Sequence, residues 1–84
     1  MHDTFLFKKI TDTVDEICKE NNINRLTLLE VTVHTNSHVD KDSLYEHLIL
    51  EQTSLVGEWT NVVVNKKEIE ELTAIIDKVE GDCL

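Results

Sequence analysis

Two stretches with strand character stand on either side of a helix-length segment, and this arrangement constrains the fold more than any other feature of the chain. From Leu26 to His34, apolar and polar residues alternate, as they do in a strand with one solvent-facing side. From Trp59 to Val64, three consecutive valines are typical of a second strand. Strands joined through a helix form a right-handed crossover and lie parallel. The sequence therefore predicts that these two strands lie parallel in one small sheet.

Helical periodicity precedes the first strand and fills the gap between the two. A helix is expected from Thr4 to Asn21, because its apolar residues recur at spacings of four, four and three. These residues are Leu6, Ile10, Val14 and Ile17. A second helix is expected from Lys41 to Glu51, with Asp40 or Asp42 as its cap. Both helices are expected to bury one apolar face on the sheet.

The last part of the chain is predicted to form a third helix. Asn65 followed by Glu68 resembles a capping box, and apolar residues follow at helical spacing up to Gly81. They are Ile69, Leu72, Ile76 and Val79. The predicted fold is a single α/β (α+β) domain over residues 1–84, with the order α-β-α-β-α and a short sheet covered by helices. Because a sheet of two strands leaves its edges unpaired, the chain is also expected to form a homodimer.

Acidic residues outnumber basic ones, and the imbalance limits the partners of this protein. Seventeen Asp and Glu residues against eight Lys and Arg residues give a net charge of −9. This charge would repel both phosphate backbones and anionic lipids, so neither nucleic acid nor a membrane is an expected partner. The chain also has no apolar run of about 20 residues and no pattern of a cleaved leader, so a cytoplasmic location is expected.

Residue types that carry catalysis or bind zinc are sparse. Neither Cys18 nor Cys83 belongs to a CxxC pair, so no zinc site is expected. Cys18 falls within the first predicted helix and is expected to lie in the core or at its boundary. No Ser-His-Asp arrangement is recognisable, and a chain with two glycines is poorly suited to build a phosphate-binding loop. The chain is therefore not expected to be an enzyme.

The first three residues, Met1-His2-Asp3, combine a terminal amine, an imidazole and a carboxylate. The amine, the peptide nitrogens that follow it and the His2 side chain can form fused chelate rings in one plane, the geometry that Ni(II) and Cu(II) prefer. A purely structural interpretation stays open as well. In that interpretation His2 is solvated in a frayed terminus, and Asp3 caps the first helix.

Further candidate ligands lie in the polar segment between the first strand and the second helix. His38, Asp40 and Asp42 are grouped there, near one end of the predicted sheet. Asp40 is the candidate for an additional oxygen ligand, although the same residue is well placed to cap the second helix. His34 and His47 are expected to be solvated. The single tryptophan, Trp59, is expected to anchor the core or a dimer.

The order of these features resembles the HypA family, the nickel-incorporation accessory proteins of hydrogenase and urease. Met1-His2-Asp3 precedes the first helix, and Arg25-Leu26-Thr27 begins the first strand. The segment from His38 to Tyr45 leads into the second helix. Gly57 and the run Val62-Val63-Val64 stand where the family has its second strand.

This resemblance, which covers residues 1–64, implies a metallochaperone. Members of the family accept nickel at an N-terminal Met-His-Glu and help to deliver it together with a GTPase partner. The expected metal ligands are thus Met1, His2 and Asp3, with Asp40 added from the loop. Asp3 is one methylene shorter than the family's Glu. The family's zinc module with its CxxC pairs is missing, and the last predicted helix takes its place in the sequence.

Two functions are consistent with these features. The first is a nickel-binding accessory protein for hydrogenase or urease maturation, with partners among the maturation proteins that include a GTPase. The second is a metal-free protein interaction module that kept the fold and lost nickel delivery. The missing zinc module, the acidic surface and the small sheet favour this second function. Nickel binding that depends on His2 would separate the two.

Overall fold

The computed structural model describes residues 3–51 and 54–83. Its elements are α1 (Asp3–Glu20), β1 (Arg25–His34), α2 (Lys41–Glu51), β2 (Asn61–Lys67) and β3 (Ala74–Asp82). Over these ranges the protein is a small α+β domain with two helices and a three-strand mixed sheet, in the order α-β-α-β-β. The first four predicted elements are confirmed, whereas the predicted third helix is wrong.

β1 is the central strand of the sheet. It pairs in parallel with β2, as the sequence predicts, and antiparallel with β3, so the strand order is β2-β1-β3. Leu29 of β1 lies between Val62 of β2 and Val79 of β3. The predicted core residues of β1, which are Leu29, Val31 and Val33, are buried. The core therefore fills the face of the sheet that the helices cover.

α1 packs on this face through a stripe of residues spaced by four. The buried residues of the stripe are Leu6, Ile10, Val14 and Cys18. Ile17, predicted to share this face, is only half-buried, because the spacing of four continues to Cys18. The helix ends at Glu20, one residue before its predicted end at Asn21, and Asn22 adopts a left-handed φ of 57°. The amide of Ile23 then donates to the Cys18 carbonyl at 2.8 Å, which closes the end of the helix.

Residues 74–82 form β3, and a β-bulge explains why their pattern resembles a helix. Ile76 and Val79 both pack against the core, although they are three residues apart. Val31 of β1 pairs with Ile76, and Leu29 pairs with Val79. β3 therefore uses three residues over a length in which β1 uses two. The additional residue of the bulge keeps both side chains on one face. A spacing of three on one face is also what a helix produces, so the period alone could not separate the two.

The predicted capping box of the third helix is also wrong. Asn65 lies in β2, and its side-chain amide donates to the Glu30 carboxylate at 2.9 Å. Glu68 accepts a hydrogen bond from the Thr35 hydroxyl at 2.6 Å. Asn65 therefore joins β2 to β1, and Glu68, which follows β2, joins Thr35, which follows β1.

Two more positions of the predicted third helix have other roles. Leu72 lies in the turn between β2 and β3 with a left-handed φ of 59°, a conformation that bulky side chains rarely adopt. Gly81, predicted to end the helix, lies within β3 opposite Leu26. The chain reverses direction over residues 68–73, so that β3 can run back along β1.

α2 agrees with its predicted range, and Leu44 and Leu48 are its buried residues. Trp59 lies just before β2 and is 42 % exposed, so the prediction that it anchors the core is wrong. The guanidinium of Arg25 lies 4.9 Å from the centroid of its ring. A role for Trp59 in a dimer stays a prediction. Among the described residues, no helix is both long enough and apolar enough to cross a membrane.

Candidate functional site

One edge of the sheet brings together His34 and His38, two of the histidines considered in the sequence. β1 and β2 are parallel and both end at this edge, and β3 begins there. The last turn of α1 connects directly to the start of β1, which lies at the opposite end of the sheet. α1 therefore begins at this edge. A cleft opens at this edge, where the carboxyl ends of parallel strands commonly bind ligands.

The cleft has a volume of about 420 Å³, which suits a small molecule or a hydrated ion. Its main lining residues are Leu6 of α1, His34 of β1, Ser37 and His38 of the next loop, and Glu71 and Leu72 of the β2–β3 turn. The two leucines form apolar walls. The imidazoles and the carboxylate are ligand types that Ni(II) accepts.

His34, expected to be solvated, is half-buried at the end of β1 and lines the cleft. Its Nδ1 accepts a hydrogen bond from the Asn36 amide at 3.0 Å. A backbone amide is always the donor in such a bond, so Nδ1 carries no proton and the neutral ring is protonated at Nε2. His34 therefore acts as a hydrogen-bond donor in the cleft, and binding a metal through Nε2 would require the other tautomer.

Three hydrogen bonds hold the loop after β1 against the end of β2. The Thr35 amide donates to a backbone carbonyl of β2 at 3.1 Å, and its hydroxyl donates to Glu68 at 2.6 Å. The Lys66 ammonium donates to the Ser37 carbonyl. His38 is exposed on this anchored loop and lines the cleft.

Asp40, the predicted oxygen ligand from this loop, caps α2. Its Oδ1 accepts a hydrogen bond from the Ser43 amide at 2.8 Å, and the Ser43 hydroxyl accepts one from the Asp40 amide at 3.1 Å. The backbone amide of Ser43, followed by its hydroxyl, lowers the pKa of the Asp40 carboxyl. The cap therefore stabilises the fold above the pKa of the unfolded carboxyl and is lost as the pH falls through the lower folded value. Asp40 lies outside the lining of the cleft.

Asp42 and Cys18 also lie away from the cleft lining. Asp42 is exposed in the first turn of α2. Cys18 is buried in the core, where burial and then the Asp15 carboxylate raise the pKa of its thiol. The thiol is protonated at neutral pH and unsuited to metal binding. Within residues 3–51 and 54–83, no group of three or more His, Cys, Asp or Glu side chains could hold a metal ion.

The predicted ligands at the N-terminus are only partly covered by the structure. Met1 and His2 lie outside the described residues, and so does the side chain of Asp3. The backbone of Asp3 begins α1, three residues before Leu6 in the cleft wall. In a helix this separation amounts to about 4.5 Å along the axis. α1 therefore starts beside the cleft.

Glu71 could not be predicted as a residue of this edge, because the helical spacing of the apolar residues from Ile69 to Val79 places it inside a third helix. No local pattern marks the turn that carries it, since that turn depends on the pairing of β3 with β1. His47 also departs from expectation. Its ring is half-buried and stacks on Phe7 with the two centroids 5.2 Å apart.

Comparison with known proteins leaves this site without an assignment. No protein-family model and no curated protein matches the sequence. The function of this edge of the sheet therefore has to follow from the chemistry of its own residues.

Proposed function

We propose that this protein is a nickel-binding accessory protein of the HypA kind, which receives Ni²⁺ at its N-terminus for hydrogenase or urease maturation. The observation that carries the proposal is the position of α1, which begins at Asp3 beside a cleft lined by His34, His38 and Glu71. Delivery would involve other cytoplasmic maturation proteins, including a GTPase. Asp3 follows directly after the two residues whose amine and imidazole would bind the ion.

Covalent connection limits how far the terminal amine can lie from this edge. One extended residue spans at most about 3.6 Å, so the Met1 nitrogen lies within about 7 Å of the Asp3 nitrogen. Leu6, one helical turn further along, lines the cleft. The amine is therefore tied to the end of α1 that lies beside the cleft.

The start of α1 favours the use of backbone nitrogens as ligands. The first four N–H groups of an α-helix have no partner within the helix, and α1 begins at Asp3. Deprotonation of the His2 and Asp3 amides therefore breaks no hydrogen bond of α1. Two deprotonated amides also neutralise Ni²⁺, so the positive end of the helix dipole does not oppose binding. With a backbone ligand at Asp3, the shorter side chain relative to the family's Glu has little effect.

Calorimetric titration of untagged protein with Ni²⁺ tests the proposal. We expect one equivalent to bind per chain, with release of protons, because the amine and the amides must be deprotonated to bind the ion. Titrations in buffers of different ionisation enthalpy measure the number of protons released. The control is protein with an N-terminal extension, which moves the amine away from His2. Equal nickel affinity in the extended protein, or no binding in the untagged protein, would contradict the proposal.

A metal-free interaction module is the second candidate function, and exposed apolar side chains favour it. Four such side chains of the described residues are Phe5 (60 % exposed), Leu50 (77 %), Leu72 (58 %) and Ile75 (45 %). β2 and β3 are also the edge strands of the sheet. Exposed apolar residues and unpaired strand edges are both common where proteins associate. This candidate predicts no specific nickel site.

A homodimer is expected under either function. The sheet has three strands and β1 is paired on both sides, so the expectation of a dimer rests on the open edges of β2 and β3. Light scattering at high micromolar concentration should give about twice the 9.7 kDa of one chain. The mass should fall toward that of one chain on dilution if the interface is small. A mass of one chain at every concentration would rule out the dimer.

A further inference from the structure

We infer that the outer edge of β2 is a docking surface for a second copy of this chain, which pairs with it strand to strand in antiparallel direction. The two three-strand sheets would then form one continuous sheet. β2 forms one outer edge of the sheet and β3 forms the other, so the inference chooses between two edges. It locates the interface of the expected homodimer, and it requires neither the nickel site nor the cleft.

The outer edge of β2 presents a row of backbone groups that the sheet leaves unpaired. The Lys67 carbonyl accepts the Thr35 amide at 3.1 Å, so the backbone groups of Lys67 point toward β1. Successive residues of a strand point these groups in opposite directions, so those of Val62, Val64 and Lys66 point away from β1. Among the described residues, no turn or loop bonds to these outward groups. Such a row is a template for another strand.

β2 lacks the features that commonly block an exposed strand edge, whereas β3 has them. The register of β2 with β1 runs without a shift over Asn61–Lys67, and the strand contains no acidic residue and no proline. Its three consecutive valines favour extended structure. β3 is interrupted by a bulge and carries four charged side chains. Bulges and charges both oppose pairing at an edge. The charged residues are Asp77, Lys78, Glu80 and Asp82.

The β2 edge is complementary to itself. A two-fold axis along the edge makes the two strands antiparallel, and Val64 is the middle residue of β2. With the axis at Val64, this residue lies opposite its own copy, and Val62 lies opposite Lys66. The outward N–H and C=O groups of all three residues then gain partners. Lys67 lies opposite Asn61, so no two like charges face each other across the strands.

The distribution of charge along β2 favours a second copy as the partner. The carboxyl end of β2 carries the exposed Lys66 and Lys67. Its amino end follows the exposed Glu58, and α2, which returns to this end of the sheet, terminates at the exposed Glu51. Antiparallel pairing brings the basic end of each β2 to the acidic end of the other. This attraction occurs twice in a symmetric dimer.

Amide hydrogen exchange of the wild-type protein tests the inference directly. At a concentration where light scattering gives a dimer, the amides of Val62, Val64 and Lys66 should exchange at least about tenfold more slowly than in dilute protein, because pairing protects them. The amides of β3 should exchange at the same rate at both concentrations. Exchange at the β2 amides that does not change with concentration would overturn the inference.

Charge reversal provides a second test, with a matched control. Lys67→Glu should raise the dissociation constant of the dimer about tenfold, since it removes an attraction at two symmetric positions. Lys67 is the better probe, because the Lys66 ammonium also donates to the Ser37 carbonyl. Lys78→Glu, on the edge of β3, should leave the constant unchanged. Adding Glu58→Lys to Lys67→Glu should restore part of the loss. Analytical ultracentrifugation measures all four proteins.

Cross-linking tests the position of the two-fold axis. Opposite residues of an antiparallel pair have Cα atoms about 5.5 Å apart, within the range of a disulfide. In a Cys83→Ser background, Val64→Cys should therefore form a covalent dimer on mild oxidation, whereas Lys78→Cys, at the middle of β3, should not. Faster cross-linking of Lys78→Cys would overturn the inference and assign the interface to β3. A monomer at every concentration would overturn it together with the homodimer, and the nickel titration would remain a separate result.

Discussion

Acetylation of the N-terminus is expected to abolish the Ni²⁺ binding that we propose for this protein. The acetyl group converts the Met1 amine into an amide and removes the donor that begins the series of fused chelate rings. His2 alone then offers a single imidazole, which is too little for a selective site. We expect the affinity to fall by more than about 100-fold, equivalent to about 2.8 kcal/mol of binding free energy. Calorimetry on acetylated and free-amine protein from the same preparation measures the difference.

Histidine variants provide the controls for this experiment. His2→Ala should weaken nickel binding as strongly as acetylation does, because it removes the side-chain nitrogen of the same chelate. His47→Gln removes a histidine that stacks on Phe7 outside the cleft lining, so nickel binding should not change. Unchanged affinity in acetylated protein would contradict the N-terminal site. It would point instead to the cleft that His38 lines.

The same site predicts the direction of the pH dependence. The terminal amine titrates at roughly pH 7.7–8.0 and an unperturbed imidazole at about 6.5, and both must be deprotonated to bind the ion. Nickel affinity should therefore fall steeply between about pH 8 and pH 6. The acetylated protein should lack the part of this dependence that belongs to the amine.

The largest loss of stability is expected from Gly81→Ala. A Cβ atom at Gly81 would lie 2.5 Å from the Arg25 carbonyl oxygen and would also overlap the Ile23 side chain. The carbonyl belongs to the first residue of β1, so the clash is relieved only by moving β1 and β3 apart. Overpacking of this kind costs about 1–3 kcal/mol. That is a large share of the roughly 4–13 kcal/mol expected for a domain of this size.

Gly57→Ala is the matched control for this substitution. A Cβ atom there would lie 2.5–2.8 Å from ring atoms of Trp59. That ring is 42 % exposed and can swing away, at the cost of its contact with Arg25. We therefore expect a smaller loss from Gly57→Ala, measured by urea unfolding of both variants. An unfolding free energy of Gly81→Ala equal to that of the wild type would be inconsistent with β3 in its observed register.

Local periodicity was sufficient to predict the first four of the five elements of the described fold. Leu6, Ile10 and Val14 mark the buried face of α1, because a helix returns to the same face every three or four residues. Alternation in β1 identifies Leu29, Val31 and Val33 as the side that faces the core, since a strand returns to the same face every two residues. The parallel pairing of β1 with β2 follows from the helix between them, since the connection must cross the sheet.

β3 could not be predicted in this way, because its pattern depends on its partner. The bulge opposite Val31 and Leu29 places Ile76 and Val79 three residues apart on one face, which imitates a helical period. Whether residues 74–82 form a strand or a helix therefore depends on β1, whose edge offers hydrogen bonds along the whole of β3. Leu72 lies in the turn that brings the chain back to that edge. Its left-handed φ of 59° is a conformation that bulky side chains rarely adopt.

The residues of the candidate site also divide into those that the local sequence predicts and those that depend on the pairing of distant segments. The proposed N-terminal donors follow from the sequence alone, since Met1, His2 and the Asp3 amide are adjacent along the chain and need no tertiary structure to form a chelate. The sequence also identified Asp40 as a possible cap, which depends only on a local contact with α2. The position of Glu71 at the cleft beside α1, in contrast, depends on the tertiary structure. Contacts within one turn follow from local spacing, whereas the approach of distant segments depends on how three strands pair and where the chain reverses.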